Sequence, residues 1–346
     1  MIKKYFKIDI NSFGRDFGEH KKLMYDIDSS VWKAASEELK SRSFKIDSTN
    51  VTIEIDFSRA VEYTEYWYNI FSTQSGIDRL INNPGSIKCI PVFFEAIVTI
   101  HDSSTDYFAY RNIIINYLKY FLHEIFLLTN LSSPGSSNFS STIISSPSEI
   151  NTQSIKLSCY IFEQSWHKSL DKKWPKVTHL PLDMVLRWYN SLEIGTSQLG
   201  RSKLQKALFA ILHIAKQDSF EPGSLIWLSH ALEALYDVPP ALSYNYLERR
   251  ILEFLQAPKK KETSLGKNIR LFYDERNAFA HGGMEVIHPM GSALSDNSLN
   301  DIEKYEKELV TAFDFASLLL IATLQEFIAR GWKDIVFKDR YFGVTI

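Results

Sequence analysis

The chain has 346 residues, 45% of them hydrophobic, with a formal net charge of -2 and a pI near 6.5. That is enough apolar material for one large core or two ordinary ones. The charge excludes a generally basic nucleic-acid coat, so any RNA or DNA contact must use a local patch.

The opening run MIKKYFKIDI alternates apolar and charged residues and has no signal-peptide core, so it predicts a strand from Tyr5 to Ile10. A helical pattern follows around Ser29 to Leu39, and strand-like runs recur at Val51 to Phe57, Lys88 to His101 and Lys156 to Phe162. The aromatic cluster Tyr63, Tyr66, Trp67 and Tyr68 suits a recognition surface or core packing equally well. Tyr107 to Leu131 is the most hydrophobic stretch, but Arg111, Lys119, His123 and Glu124 are too many charges for a lipid-spanning helix. It predicts a buried helix of a soluble protein, with no membrane contact. From Leu131 to Ser154 the composition turns to Ser, Pro, Gly and Asn, which predicts a long flexible loop inserted in the first domain.

After Pro181 the pattern is helical throughout. Lys203 to Gln217, Leu225 to Tyr236 and Tyr244 to Gln256 each carry an apolar stripe, and Pro258 breaks the chain after the third. Two more helices follow, Thr263 to His281 and Asn300 to Arg330. The later half of the last one is apolar nearly all round, which in a small bundle predicts a subunit interface. The expected class is α+β: a mixed α/β sensor or regulatory domain over residues 1–180, with its Ser-rich loop at 131–154, followed by an all-α bundle over residues 181–346. A trigger ligand or protein would act on the first domain.

The helix from Thr263 to His281 holds the densest chemistry. Leu265, Ile269, Phe272, Arg276 and Phe279 share one stripe, so a guanidinium sits on an apolar face and needs a carboxylate or a bound anion. His281, five residues on, is displaced roughly 140° round the helix. Arg276 and His281 converge only if the helix unwinds at Gly282-Gly283, a candidate C-cap, or if a second copy of the chain supplies one of them. A histidine in the last turn feels the negative end of the helix dipole, which favours its protonated form and suits acid/base work near neutral pH. The bland reading of the pair is a structural one.

The residues Arg276-Asn277-Ala278-Phe279-Ala280-His281 with the trailing glycines resemble the motif of the HEPN superfamily, in particular its Apea-like branch. LIWLSHALEALY is similar to that family's second core helix, LFYDERN to the lead-in to the motif, and a long amphipathic helix follows. The resemblance covers about Leu182 to Arg330. It implies a dimer whose paired motif helices line one cleft, and metal-independent RNA cleavage in which the ribose 2'-hydroxyl attacks the adjacent phosphate. Histidine then moves protons and arginine meets the phosphate charge with two parallel hydrogen bonds. Asn277 would orient the phosphate or His281, and Glu233 would hold Arg276, unless it is an ordinary surface carboxylate. Resemblance also implies a prokaryotic antiphage or toxin-like role, and the sparse cysteines fit a reducing cytoplasm. The alternative is a non-catalytic bundle that only binds a nucleic acid or protein.

Lys259, Lys260 and Lys261, with Lys267 and Arg270 behind them, form the most basic stretch near the motif and would steer an RNA backbone or simply be solvated. His230 reads as structural, on another face of the helix that carries Glu233. His123-Glu124 lacks the second histidine of a metalloprotease helix, and His101-Asp102 stands alone. Two cysteines, Cys89 and Cys159, without a CxxC or Cys/His cluster offer no zinc site and fit a reducing compartment. With no glycine-rich phosphate loop and no GxSxG elbow, no cofactor is expected.

Overall fold

The computed structural model describes residues 1–11, 13, 20–46, 49–88, 90–101, 107–147, 151–217, 220–239, 243–286 and 299–337. Asp102 and Cys89 lie outside them. The class is α+β. The chain gathers into two compact units: Met1–Glu163 with Thr178–Ser197 and Ala215–Ser219, and Gln164–Val177 with Gln198–Ile214 and Phe220–Ile346. The division therefore differs from one cut near residue 180.

The first unit is built on an antiparallel sheet. Its central strands are β1 (Ile2–Ile10) and β4 (Val92–Ile100), flanked on one side by β3 (Thr49–Asp56) and β2 (Ser41–Ile46) and on the other by β5 (Thr142–Ser145) and β6 (Gln153–Ile155). Alternation in β1 buries Phe6, Ile8 and Ile10, while Tyr5 on the other face is 57% exposed. The pairing of Ile8 with Phe94 and of Ile53 with Val98 brings the apolar side of each strand to the same face. Helices α1 (Lys21–Glu38), α2 (Ser58–Ser72) and α3 (Gln74–Asn82) belong to this unit, as do α4 (Tyr107–Ser132) and α6 (Leu182–Ser191), which packs on α1 and α4. Trp32 of α1 sits 5.6 Å from Phe94 and 5.8 Å from Phe57, ring centre to ring centre, at the heart of the core. Of the aromatic cluster on α2, Trp67 stacks on Tyr25 at 6.1 Å and Tyr63 meets Phe13 edge-on at 5.4 Å, which is packing against neighbouring elements.

The first part of the Ser-rich stretch, residues 132–137, is packed into the fold. Ser132, Ser133, Ser136 and Ser137 are all buried, because each hydroxyl returns to a nearby polar group. Ser132 donates to the Leu180 carbonyl at 2.7 Å, Ser136 to the Thr129 carbonyl at 2.9 Å, and Ser137 shares a 2.7 Å bond with the Thr129 hydroxyl. Asn130 joins them by donating to the Ser137 carbonyl at 2.9 Å and accepting from the Gly135 amide at 2.8 Å. Composition marks a segment as loose only when its polar groups lack protein partners. The expected strand from Lys156 to Phe162 also resolves differently. Leu157 exchanges backbone hydrogen bonds with Phe139, and α5 (Tyr160–Lys172) begins three residues later. His123 bonds the Lys119 carbonyl at 2.6 Å, and Glu124 pairs with Arg42 at 2.7 Å, both structural roles.

The second unit contains α7 (Lys203–Ala215, but for its last residue), α8 (Ser224–Leu235), α9 (Ser243–Phe254), α10 (Glu262–Ala280) and α11 (Leu299–Arg330). Helix α11 packs on α8 and α10. Its apolar residues are covered within one chain: Leu318, Leu320, Ile321 and Leu324 are 0% exposed and Leu319 is 1% exposed. The apolar surface that suggested a subunit interface on α11 is therefore covered inside the fold. Lys307–Arg330 is long and apolar enough to cross a membrane, but 89% of its apolar window is buried in the protein, the burial of a core helix. Helix α9 packs on α10, where the Glu248 carboxylate lies over Gly266 and Tyr244 donates to the Gly266 carbonyl at 3.1 Å.

Replacing Leu320 by alanine is expected to cost about 3 kcal/mol of stability through the cavity it leaves. Urea denaturation reads that loss, and sedimentation of the folded variant should match the unaltered protein. Weakened assembly at unchanged stability would return α11 to the interface.

Candidate active site

Helix α10 stays regular through Ala280, with His281 as its C-cap. Gly282 takes φ +73°, a left-handed conformation that suits glycine, and the Gly283 amide turns back to the Ala278 carbonyl at 2.8 Å. The expected glycine cap is therefore present, and it follows His281 rather than preceding it. With no unwinding between them, the displacement of His281 from Arg276 persists in this chain.

Arg276 is half-buried and held at three of its nitrogens. Its Nε donates to the Ser229 hydroxyl at 3.2 Å, Nη1 donates to the Asn277 side-chain oxygen at 2.9 Å, and Nη2 lies 3.6 Å from Glu233. Ser229 and Glu233 stand one turn apart on α8, so one face of that helix offers both. Tyr273, one turn before Arg276 on α10, donates its hydroxyl to the same Glu233 oxygen at 3.0 Å, and the guanidinium lies 5.9 Å from its ring centre. Glu233 is thus a holding carboxylate, shared between an arginine and a tyrosine. The five N–H donors of a guanidinium exceed these contacts, leaving hydrogens for an incoming anion.

His281 is in the opposite condition. It is exposed, and its side chain has no partner among the described residues. Asn277 and Phe279 beside it are exposed too, so the end of α10 opens to solvent where the sequence stripe predicted burial.

The basic residues are spread along α10. Lys259, Lys260 and Lys261 form a short 3-10 turn before its first residue. At about 1.5 Å per residue, Lys261 lies about 22 Å along the axis from Arg276, Lys267 about 14 Å and Arg270 about 9 Å. Arg270 packs over the Tyr244 ring at 5.4 Å. Distance separates the lysine run from Arg276, so it does not join the Arg276 cluster.

Sequence reasoning missed Ser229 and Tyr273, although their spacing from Glu233 and Arg276 was open to a helical i, i+3 and i, i+4 reading. It also assigned His230 to another face, whereas His230 and Glu233 line one cavity.

Because the Arg276 guanidinium is 27% exposed and its carboxylate contact is long, Arg276→Ala should change unfolding free energy by no more than about 1 kcal/mol. His281→Ala should change it less. Thermal and urea transitions check both, and a lost cooperative transition in either variant would make that residue a structural strut. No family model, no curated protein and no solved structure matches this chain.

Proposed function

We propose that the protein is a metal-independent endoribonuclease of HEPN type, working as a homodimer in the cytoplasm. The observation that carries the reading is the division of labour at the end of α10: an arginine fixed by Ser229, Asn277 and Glu233, and an exposed histidine with free ring nitrogens. The resemblance of the RNAFAH segment to the family motif supplies the reaction class.

In that reaction the ribose 2'-oxygen bonds to the adjacent phosphorus as its proton passes to a histidine, and the bond from phosphorus to the 5'-oxygen breaks. The departing oxygen takes a proton, leaving a 2',3'-cyclic phosphate and a 5'-hydroxyl. Arg276 meets the charge that gathers on the non-bridging oxygens, and holding it in place beforehand lowers reorganisation during the reaction. Asn277 limits its swing. The 140° displacement of His281 on a regular helix, roughly as an ideal helix sets it, favours a site completed by a second copy. The exposed Phe279 and His281 at the open end of α10 offer the surface for it.

The first unit is the sensor in this reading. The outer face of its sheet exposes Tyr5 and Ile143 and carries a cavity of about 670 Å³, a place for a trigger ligand. Resemblance points to antiphage defence or a toxin-like effector as the setting.

Incubation of the purified protein with total RNA and tRNA in excess chelator should give cyclic-phosphate and 5'-hydroxyl ends. Arg276→Ala and His281→Ala should each lower cleavage at least about a hundredfold. Activity restored only by magnesium or manganese would overturn the mechanism, and RNA left intact but bound would make the bundle a binding module.

Mixing Arg276→Ala subunits with His281→Ala subunits tests the shared site. If arginine and histidine act across the dimer, the mixed dimer keeps one intact pair and regains activity that neither variant has alone. A mixture as inactive as its parents, or a fully active monomer in sedimentation, would sink that arrangement.

A further inference from the structure

Beside the Arg276 cluster lies a cavity of about 580 Å³ whose walls come from the start of α7, from α8 and the turn after it, and from the segment following α11. Four cations line it, Arg201, Lys203, Lys206 and Lys333, against the carboxylates Glu233, Asp237 and Asp334.

The carboxylates are already engaged. Lys203 reaches Asp334 at 3.2 Å and Asp237 at 3.7 Å, and donates to the Ile335 carbonyl at 2.8 Å, so it acts as a neutralised strut that closes one wall. Glu233 is occupied by Tyr273 and Arg276. Arg201, Lys206 and Lys333 are exposed, and none has an ion-pair partner among the described residues. With Glu233 matched by Arg276 and one Lys203 charge set against both Asp237 and Asp334, the three cations still leave the cavity net positive, which favours an anion. Ser202 and Gln205 fix the backbone at the start of α7, where the Gln205 side chain accepts from the Arg201 amide at 2.9 Å and the Ser202 hydroxyl accepts from the Gln205 amide at 3.2 Å. Arg201 and Lys206 therefore stand on a settled framework.

Glu233 is both a wall of this cavity and the group that holds Arg276. A strand whose scissile phosphate meets Arg276 would carry its neighbouring phosphates over α8 to these three cations. We propose that the cavity is a backbone-phosphate subsite for single-stranded RNA, holding nucleotides that flank the cleaved bond. The proposal rests on the ribonuclease reading and replaces the distant lysine run, residues 259–261, as the main electrostatic contact.

The test uses the full chain carrying His281→Ala, so that RNA stays whole, and a labelled single-stranded oligoribonucleotide read by fluorescence anisotropy across a salt series. Adding Arg201→Ala, Lys206→Ala and Lys333→Ala should weaken binding at least tenfold and reduce the slope of log K against log salt by about two, the release expected from three lost phosphate contacts. Alanine at Lys259, Lys260 and Lys261 should weaken it less than threefold. Circular dichroism checks folding, and Lys206→Gln alone, at an exposed position, should still weaken binding measurably if the triple variant unfolds. Unchanged affinity and slope, no RNA binding at all, or equal weakening by the distant lysines would overturn the subsite. Failure of the ribonuclease reading is told apart by the unaltered protein: intact RNA with cation-dependent binding removes cleavage and leaves the subsite, whereas cleavage with unmoved binding does the reverse.

Discussion

Burying α11 inside one chain is the constraint on which the second unit depends. From Leu309 to Ile328 nearly every side chain of this helix is withdrawn from water, including polar ones such as Asp314, Ser317, Thr323 and Gln325. Full burial of a large aliphatic or aromatic side chain favours folding by about 1.5–3 kcal/mol before ordering costs are counted. A helix this apolar needs neighbours on most sides, and α8 and α10 are two of them. Two of these polar residues, Thr323 and Asp314, act as register pins. Thr323 shares a 2.7 Å hydrogen bond with the buried Tyr236 hydroxyl, just past α8, and Asp314 meets Lys168 at 3.1 Å. Once α8 and α10 are seated on α11, Ser229 and Glu233 of one face Tyr273 and Arg276 of the other.

That seating gives Arg276 and His281 opposite physical states. The arginine is partly desolvated and tied at three nitrogens, which restricts its orientation and favours electrostatic work at a fixed point. His281 stands past the last helical residue, solvated and untied, at a glycine-terminated end. An exposed imidazole can exchange protons with solvent and with a bound substrate. The proposed ribonuclease chemistry uses the contrast, and the cations beside Glu233 extend the same surface toward a longer strand.

The first unit shows how polar residues become core. Asn130 and Ser132 in the last turn of α4, and Ser133, Ser136 and Ser137 just after it, are buried with protein partners: backbone carbonyls for Asn130, Ser132 and Ser136, and the side chains of Asp28 and Thr129 for Ser133 and Ser137. Such a network fixes the path of the chain between α4 and β5, and β5 then pairs with β1. The stretch that looked like an insertion completes the sheet.

The sequence by itself determined the α+β class, the helical second half, the strands β1, β3 and β4, the span of α10 and its glycine cap, because each rests on local periodicity or on a backbone conformation that glycine favours. A desolvation argument that needs no coordinates showed that Arg276 requires a carboxylate or an anion, and only the structure chose between Glu233 as that partner and Glu233 as a surface carboxylate. The sequence could not determine where the apolar face of α11 goes, since composition says that a surface must be buried and not by what. Nor could it tell buried serines from solvated ones, because that difference lies in partners distant along the chain, such as the Leu180 carbonyl that receives Ser132. The length of α10 already sets the lysine run apart from Arg276, and only the tertiary structure drew Arg201, Lys206 and Lys333 together. Helix length separates the first set, while the packing of α7 and α8 and the return of the chain after α11 assemble the second, which no linear spacing encodes.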